Sequence, residues 1–121
     1  MKIVIAEDEF LIADMLASVL EDAGHVVRSA PDGIVALELI RQDPPDLIIT
    51  DFMMPLMTGL ELAECLRGDP EFRDLPIMLV SGAQGAIARS RTDLFDRVID
   101  KPYHFDVLLE AASAIMQTRN G

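Results

Sequence analysis

Positive charge is scarce in this chain: 10 lysines and arginines face 21 aspartates and glutamates, a formal net charge of −11. A surface this acidic repels phosphate backbones, so direct binding to DNA or RNA is not expected. Cysteine is scarcer still. The lone Cys65 cannot close an internal disulfide, which fits a reducing compartment. No apolar run is long enough to span a bilayer, and the opening MKIVIAEDE turns acidic before a signal-peptide core could form. A cytoplasmic protein with no membrane contact is expected. Glycine and proline, at 7 each, do not mark a low-complexity chain, and 50% of the 121 residues are hydrophobic. A packed core is therefore expected, in one domain spanning 1–121.

Five short apolar runs stand out: Ile3–Ala6, Val26–Ala30, Leu47–Thr50, Ile77–Val80 and Val98–Ile99. Three are continuous rather than alternating, as expected of parallel strands covered on both faces. Between them lie segments with apolar residues at helical spacing. The first carries Leu11, Met15, Leu16, Val19 and Leu20 and ends at Gly24; the second carries Ile34, Leu37 and Ile40 and ends at Pro44–Pro45. Leu60, Leu62, Ala63 and Leu66 form a third, closed near Gly68 and Pro70. Val107, Leu108, Ala111, Ala112, Ile115 and Met116 form the last. The stretch GAQGAIARSRTDLFDR predicts a fourth helix from about Ala86 to Leu94, loosely packed because its apolar stripe is weak. Strand and helix alternate five times, which predicts an α/β sandwich with a mostly parallel sheet.

Ligands of an open parallel sheet bind beyond the carboxyl ends of its strands. Glu7 and Asp8 follow the first run, Asp51 the third, Ser81 the fourth and Lys101 the fifth. Taken singly, each has a plainer explanation: an Asp after a strand usually caps a turn, and Ser-Gly or Lys-Pro is ordinary loop material. Their convergence on one edge is what points to a site. Three carboxylates close together need a cation, and an all-oxygen donor set suits Mg²⁺, which keeps several waters and commonly accompanies phosphate. Glu7, Asp8 and Asp51 contribute −3; Mg²⁺ and Lys101 would contribute +3.

The segments IVIAEDE, APDGIVAL, PDLIITDFMMPLMTG, PIMLVSG and IDKP together resemble the receiver domain of two-component response regulators, along nearly the whole chain. The resemblance implies a flavodoxin-like, doubly wound (βα)5 fold: a five-stranded parallel sheet of order 2-1-3-4-5 with helices on both faces, as in chemotaxis regulators. It implies that Asp51 accepts a phosphoryl group from a sensor histidine kinase or a histidine phosphotransfer protein. It also makes Asp8 a direct Mg²⁺ ligand, Glu7 a ligand through water, and Asp51 and the Met53 carbonyl the remaining protein ligands. Lys101, before a cis bond to Pro102, would contact the phosphoryl oxygens, and Ser81 would be the switch hydroxyl. Pro55 and Gly59 shape the loop after Asp51, and Met54 and Met57 are expected to pack beneath it.

The chain departs from the family in three places. An aromatic residue usually lies three positions before the conserved lysine; here it is Val98, so aromatic coupling is expected to be altered or absent, with Phe95 or Tyr103 as substitutes. Met53 and Ala83 occupy the positions that tune water attack on the acyl phosphate, and neither side chain can orient a water. Slow self-dephosphorylation is the expectation. His25, His104 and Cys65 are expected to be structural or surface residues, Cys65 a small packed one.

A stand-alone signalling domain, acting on a downstream protein target and catalysing only its own phosphorylation and dephosphorylation, is the favoured function. Its oligomeric state is expected to be a monomer or a weak dimer through the fourth helix, fifth strand and fifth helix. A receiver cut from a larger regulator or hybrid kinase is the alternative. A Mg²⁺-dependent aspartyl phosphatase ranks lower, since such enzymes generally carry a second Asp where this chain has Met53. A flavin carrier ranks lower too, since Glu7, Asp8 and Glu9 stand where it needs a phosphate loop.

Overall fold

A strand that is apolar on both faces is stable only between two layers, and the chain supplies both. The computed structural model describes residues 1–83 and 85–120. Along it run β1 (Lys2–Ala6), α1 (Phe10–Asp22), β2 (Val26–Ala30), α2 (Gly33–Gln42), β3 (Leu47–Asp51), α3 (Gly59–Arg67), β4 (Ile77–Ser81), α4 (Gly85–Ser90), β5 (Arg97–Asp100) and α5 (Phe105–Asn120). All neighbouring strands pair in parallel, in the order β2-β1-β3-β4-β5. The three continuous runs are the inner strands β1, β3 and β4, and their residues are almost all buried. The outer strands β2 and β5 are half-exposed, as their more polar sequences require.

The sheet divides the core in two. On one face Val4, Ile48, Ile77 and Leu79 pack with side chains of α2 and α3, and with Leu94 and Phe95. On the other, Ile3, Ile5, Ile49, Met78 and Val80 pack with Leu16 and Leu20 of α1 and with Leu108, Ala111 and Ala112 of α5. Connections therefore leave β1 and β3 toward opposite faces, and a crevice opens between their carboxyl ends.

Local chemistry fixes the connections that matter to that crevice. Thr58 and Glu61 form a reciprocal capping box at the start of α3. Gly59 donates its N–H to the Phe52 carbonyl at 2.8 Å. A Cβ at Gly59 would lie 2.2 Å from the Asp51 carbonyl oxygen, so only glycine lets α3 begin this close to the strand end. Arg67, in the last turn of α3, donates to the carbonyls of Arg73, Leu75 and Leu94 and to the Asp96 carboxylate. Asp96 also accepts from the N–H of Ile77, so one guanidinium ties together the segments leading into β4 and β5.

Two sequence expectations need correction. The fourth helix spans Gly85–Ser90 rather than running to Leu94. The Ser90 hydroxyl donates to the Ile87 carbonyl at 2.6 Å, and the chain then turns, with the Leu94 N–H donating to Arg91. Leu94 and Phe95 reach the core from this turn, beyond the end of the helix. Cys65 is exposed on α3, not packed, because Leu62, Ala63 and Leu66 occupy the buried face. On α1, Leu11 and Met15 are exposed, and Ala13, Leu16 and Leu20 make the buried stripe. Ile34 on α2 is likewise exposed. No helix among the described residues is long and apolar enough to cross a membrane.

Candidate functional site

At the carboxyl ends of β1 and β3, one carboxylate oxygen each from Glu7, Asp8 and Asp51 lie within 4.8 Å of one another. The arrangement follows from register. Ala6 pairs with Thr50, so the residues next in sequence, Glu7 and Asp51, emerge side by side. Asp51 is held rigidly: its Oδ1 accepts the N–H of Phe52 at 2.9 Å, and the Thr50 hydroxyl donates to its carbonyl.

Lys101 enters from two strands away. Its N–H donates to the Ser81 carbonyl at 2.8 Å, and its ammonium donates to Asp51 Oδ2 at 3.0 Å. The Lys101–Pro102 peptide is cis. Burial works against the ammonium, but the hydrogen bond to Asp51 and the charges of Asp51 and Glu7 outweigh it and raise the Lys101 pKa. Ser81 closes β4 with no exposed surface, one strand over from Asp51. Met53 lies in the loop between β3 and α3 with its side chain exposed at 55%. Met54 is buried and Met57 half-buried against the core, as expected from sequence.

Glu7 is the group under most electrostatic stress. It is 6% exposed, and neither of its oxygens meets a hydrogen-bond donor from the protein. Burial first, then the neighbouring Asp51 carboxylate, push its pKa up to about 8. Without a cation beside it, the charged form of Glu7 is thus disfavoured. Buried oxygens without a donor, among converging carboxylates, are what a hard cation with oxygen preference would satisfy. The residues present fit Mg²⁺.

A family model for the response regulator receiver domain matches residues 3–113. The chain belongs to that family. It is 31% identical over 119 residues to the response regulator MprA of Mycobacterium tuberculosis, covering 96% of this chain and 50% of that protein. The chain spans about half the length of the curated relatives it matches. Among solved structures, it is similar to the receiver domain of a signal transduction histidine kinase from Syntrophus aciditrophicus, with a TM-score of 0.89, 30% identity, and 97% and 90% of the two chains covered. The chemotaxis response regulator CheY4 of Vibrio cholerae gives a TM-score of 0.85 at 26% identity, covering 94% of this chain and 97% of that one.

In this receiver domain the sequence-predicted residues Glu7, Asp8, Asp51 and Lys101 come together, and Ser81 lies on the adjacent strand end. The two aromatic substitutes proposed for Val98 separate. Phe95 is buried in the core before β5, packed on the face that faces α2 and α3. Tyr103 borders the same cavity as Glu7, Asp51 and Lys101. Ile12 of α1 borders it too, and sequence reasoning missed it. Nothing in its spacing marked it, because its role depends on how α1 lies across the sheet edge. His104 is exposed, and His25 Nδ1 lies 3.1 Å from the amino group of Met1, so neither joins the site.

Proposed function

We propose that this receiver domain accepts a phosphoryl group on Asp51 from a phosphohistidine of a sensor histidine kinase or histidine phosphotransfer protein. The observation carrying the proposal is the Asp51 carboxylate, rigid at a strand end, with Lys101 at 3.0 Å and two further carboxylates beside it. In the transfer, an Asp51 oxygen bonds to phosphorus as the bond from phosphorus to the histidine nitrogen breaks, and the imidazole takes up a proton. Phosphoryl transfer needs little from the protein beyond alignment and charge neutralisation.

Asp8, Asp51 and the Met53 carbonyl would hold Mg²⁺, with Glu7 behind them through water. Bound there, Mg²⁺ supplies positive charge against the carboxylates and the phosphoryl oxygens. The chain's own residues do the rest: β3 aims the nucleophile, Lys101 offers its ammonium to the phosphoryl oxygens, and Ser81 supplies a hydroxyl from the next strand. Output is by phosphorylation-dependent binding of a downstream protein in the cytoplasm, not by nucleic-acid contact from this acidic domain, with the domain a monomer or a weak dimer through α4, β5 and α5.

Incubation with acetyl phosphate and Mg²⁺ tests the proposal. One phosphoryl mass should appear on the wild type, be removed by hydroxylamine, and be missing from Asp51→Ala. Unchanged labelling of Asp51→Ala would overturn it. A pull-down comparing wild type carrying beryllofluoride with Asp51→Ala then tests whether binding depends on the modified state.

A further inference from the structure

Among the described residues, Tyr103 is the one aromatic side chain bordering the acceptor cavity. That cavity is small, about 20 Å³, room for about one water. On its outer side Tyr103 also borders an open, mostly apolar groove of about 400 Å³ between α1 and the start of α5, with Ile12, Met15, Pro102 and Phe105. Lys101 borders both spaces as well. The tyrosine ring meets Phe105 edge-on, with centroids 6.1 Å apart and planes at 77°. Burial, and the nearness of Lys101, Glu7 and Asp51, act on its hydroxyl. The ring thus stands between the charges of the site and an apolar surface groove, with too little space to move inward and ample space outward.

We propose that Tyr103 is the side chain that senses the state of Asp51, and that it passes that state to the groove between α1 and α5 rather than to the face of α4 and β5. The inference rests on Asp51 being the phosphoacceptor. A phosphoryl group on Asp51 competes for the Lys101 ammonium, which now donates to Asp51 Oδ2. The lysine stem lies against the same spaces as Tyr103, so its displacement changes the room available to the ring. Only the groove side can take up a shift. On β5 the half-buried Val98 has no ring to move, and Phe95 is fixed in the core.

The chain contains a single tyrosine and no tryptophan, so its ultraviolet fluorescence reports Tyr103 alone. The wild type is titrated with beryllofluoride and Mg²⁺, with bound fluoride followed by ¹⁹F resonance. Once bound fluoride appears, acrylamide quenching of Tyr103 should change by about twofold, as expected of a population shift in a half-buried ring. In parallel, the methyl resonance of Met15, in the groove, should shift in the wild type and stay in place in Tyr103→Leu, which still binds fluoride. Bound fluoride with unchanged quenching and an unmoved Met15 methyl would overturn the inference while leaving Asp51 as acceptor. No bound fluoride in the wild type would overturn the acceptor proposal, and this inference with it. A Met15 shift that persists in Tyr103→Leu would show that the groove responds without Tyr103, which also overturns it.

Discussion

Lys101 Nζ donates to Asp51 Oδ2 at 3.0 Å, although Asp51 ends β3 and Lys101 follows β5, strands that do not touch. β4 lies between β3 and β5, and the lysine reaches across its end. The pair is only partly shielded, with Lys101 33% and Asp51 13% exposed, so its contribution to stability is modest. Replacing Lys101 by Met should cost about 1 kcal/mol in urea unfolding. It should slow labelling by acetyl phosphate by about a hundredfold, because a charge contact aimed at the transferred group is lost. Labelling at the wild-type rate would remove Lys101 from the chemistry.

Glu7 makes stability depend on pH when divalent metal is removed. Its folded pKa, about 8, lies above the ordinary glutamate value of 4.5. Between those values the folded state holds a proton that the unfolded chain releases, so stability should fall as pH rises from about 5 to 8 and then level off. The loss should be on the order of a few kcal/mol in EDTA. Glu7→Gln should flatten the curve and be the more stable protein at pH 8. Saturating Mg²⁺ should also flatten the wild-type curve, since it favours the ionised carboxylates. A flat wild-type curve in EDTA would contradict the electrostatic account.

Met53 follows Asp51 by two residues and Ala83 follows Ser81 by two; both are exposed, and neither side chain can orient an attacking water. The phosphorylated protein should therefore keep its label for many minutes in Mg²⁺. Met53→Asn should shorten that lifetime by about tenfold, as expected when a side chain begins to orient the attacking water. Loss of label within seconds from the wild type, followed by ³²P release, would sink the prediction.

Arg67 acts far from the chemistry. Its guanidinium donates to three carbonyls and one carboxylate, and its side chain is 18% exposed. Arg67→Ala should destabilise the fold by about 3 kcal/mol, since several carbonyls lose a charged donor together. Arg67→Lys should recover less than half, because an ammonium cannot serve the same fork of acceptors. Both variants should still label on Asp51. Chemical denaturation followed by circular dichroism measures the first, and acetyl phosphate labelling the second.

Much of this protein is legible in its sequence alone. Continuous apolar runs identified β1, β3 and β4, because strands buried on both faces have no polar side to show. The rule that parallel sheets present their sites at carboxyl ends brought Glu7, Asp8, Asp51 and Lys101 to one edge, and the motif around Asp51 was specific enough to name the family. Where periodicity was weak, the sequence misled. The fourth helix, expected to reach Leu94, stops at Ser90, and Leu94 enters the core from the turn that follows.

By itself the sequence determined the order of elements, the acidic character and the residue types of the carboxylate site, since these depend on residue type and local pattern. Only the tertiary structure decided that Lys101 closes on Asp51 across β4, that Glu7 is buried without a donor, and that Tyr103 rather than Phe95 borders the site. Those facts depend on register, on how α1 lies over the sheet edge and on which face each turn enters. They are set by packing between residues far apart in the chain, which no local pattern encodes.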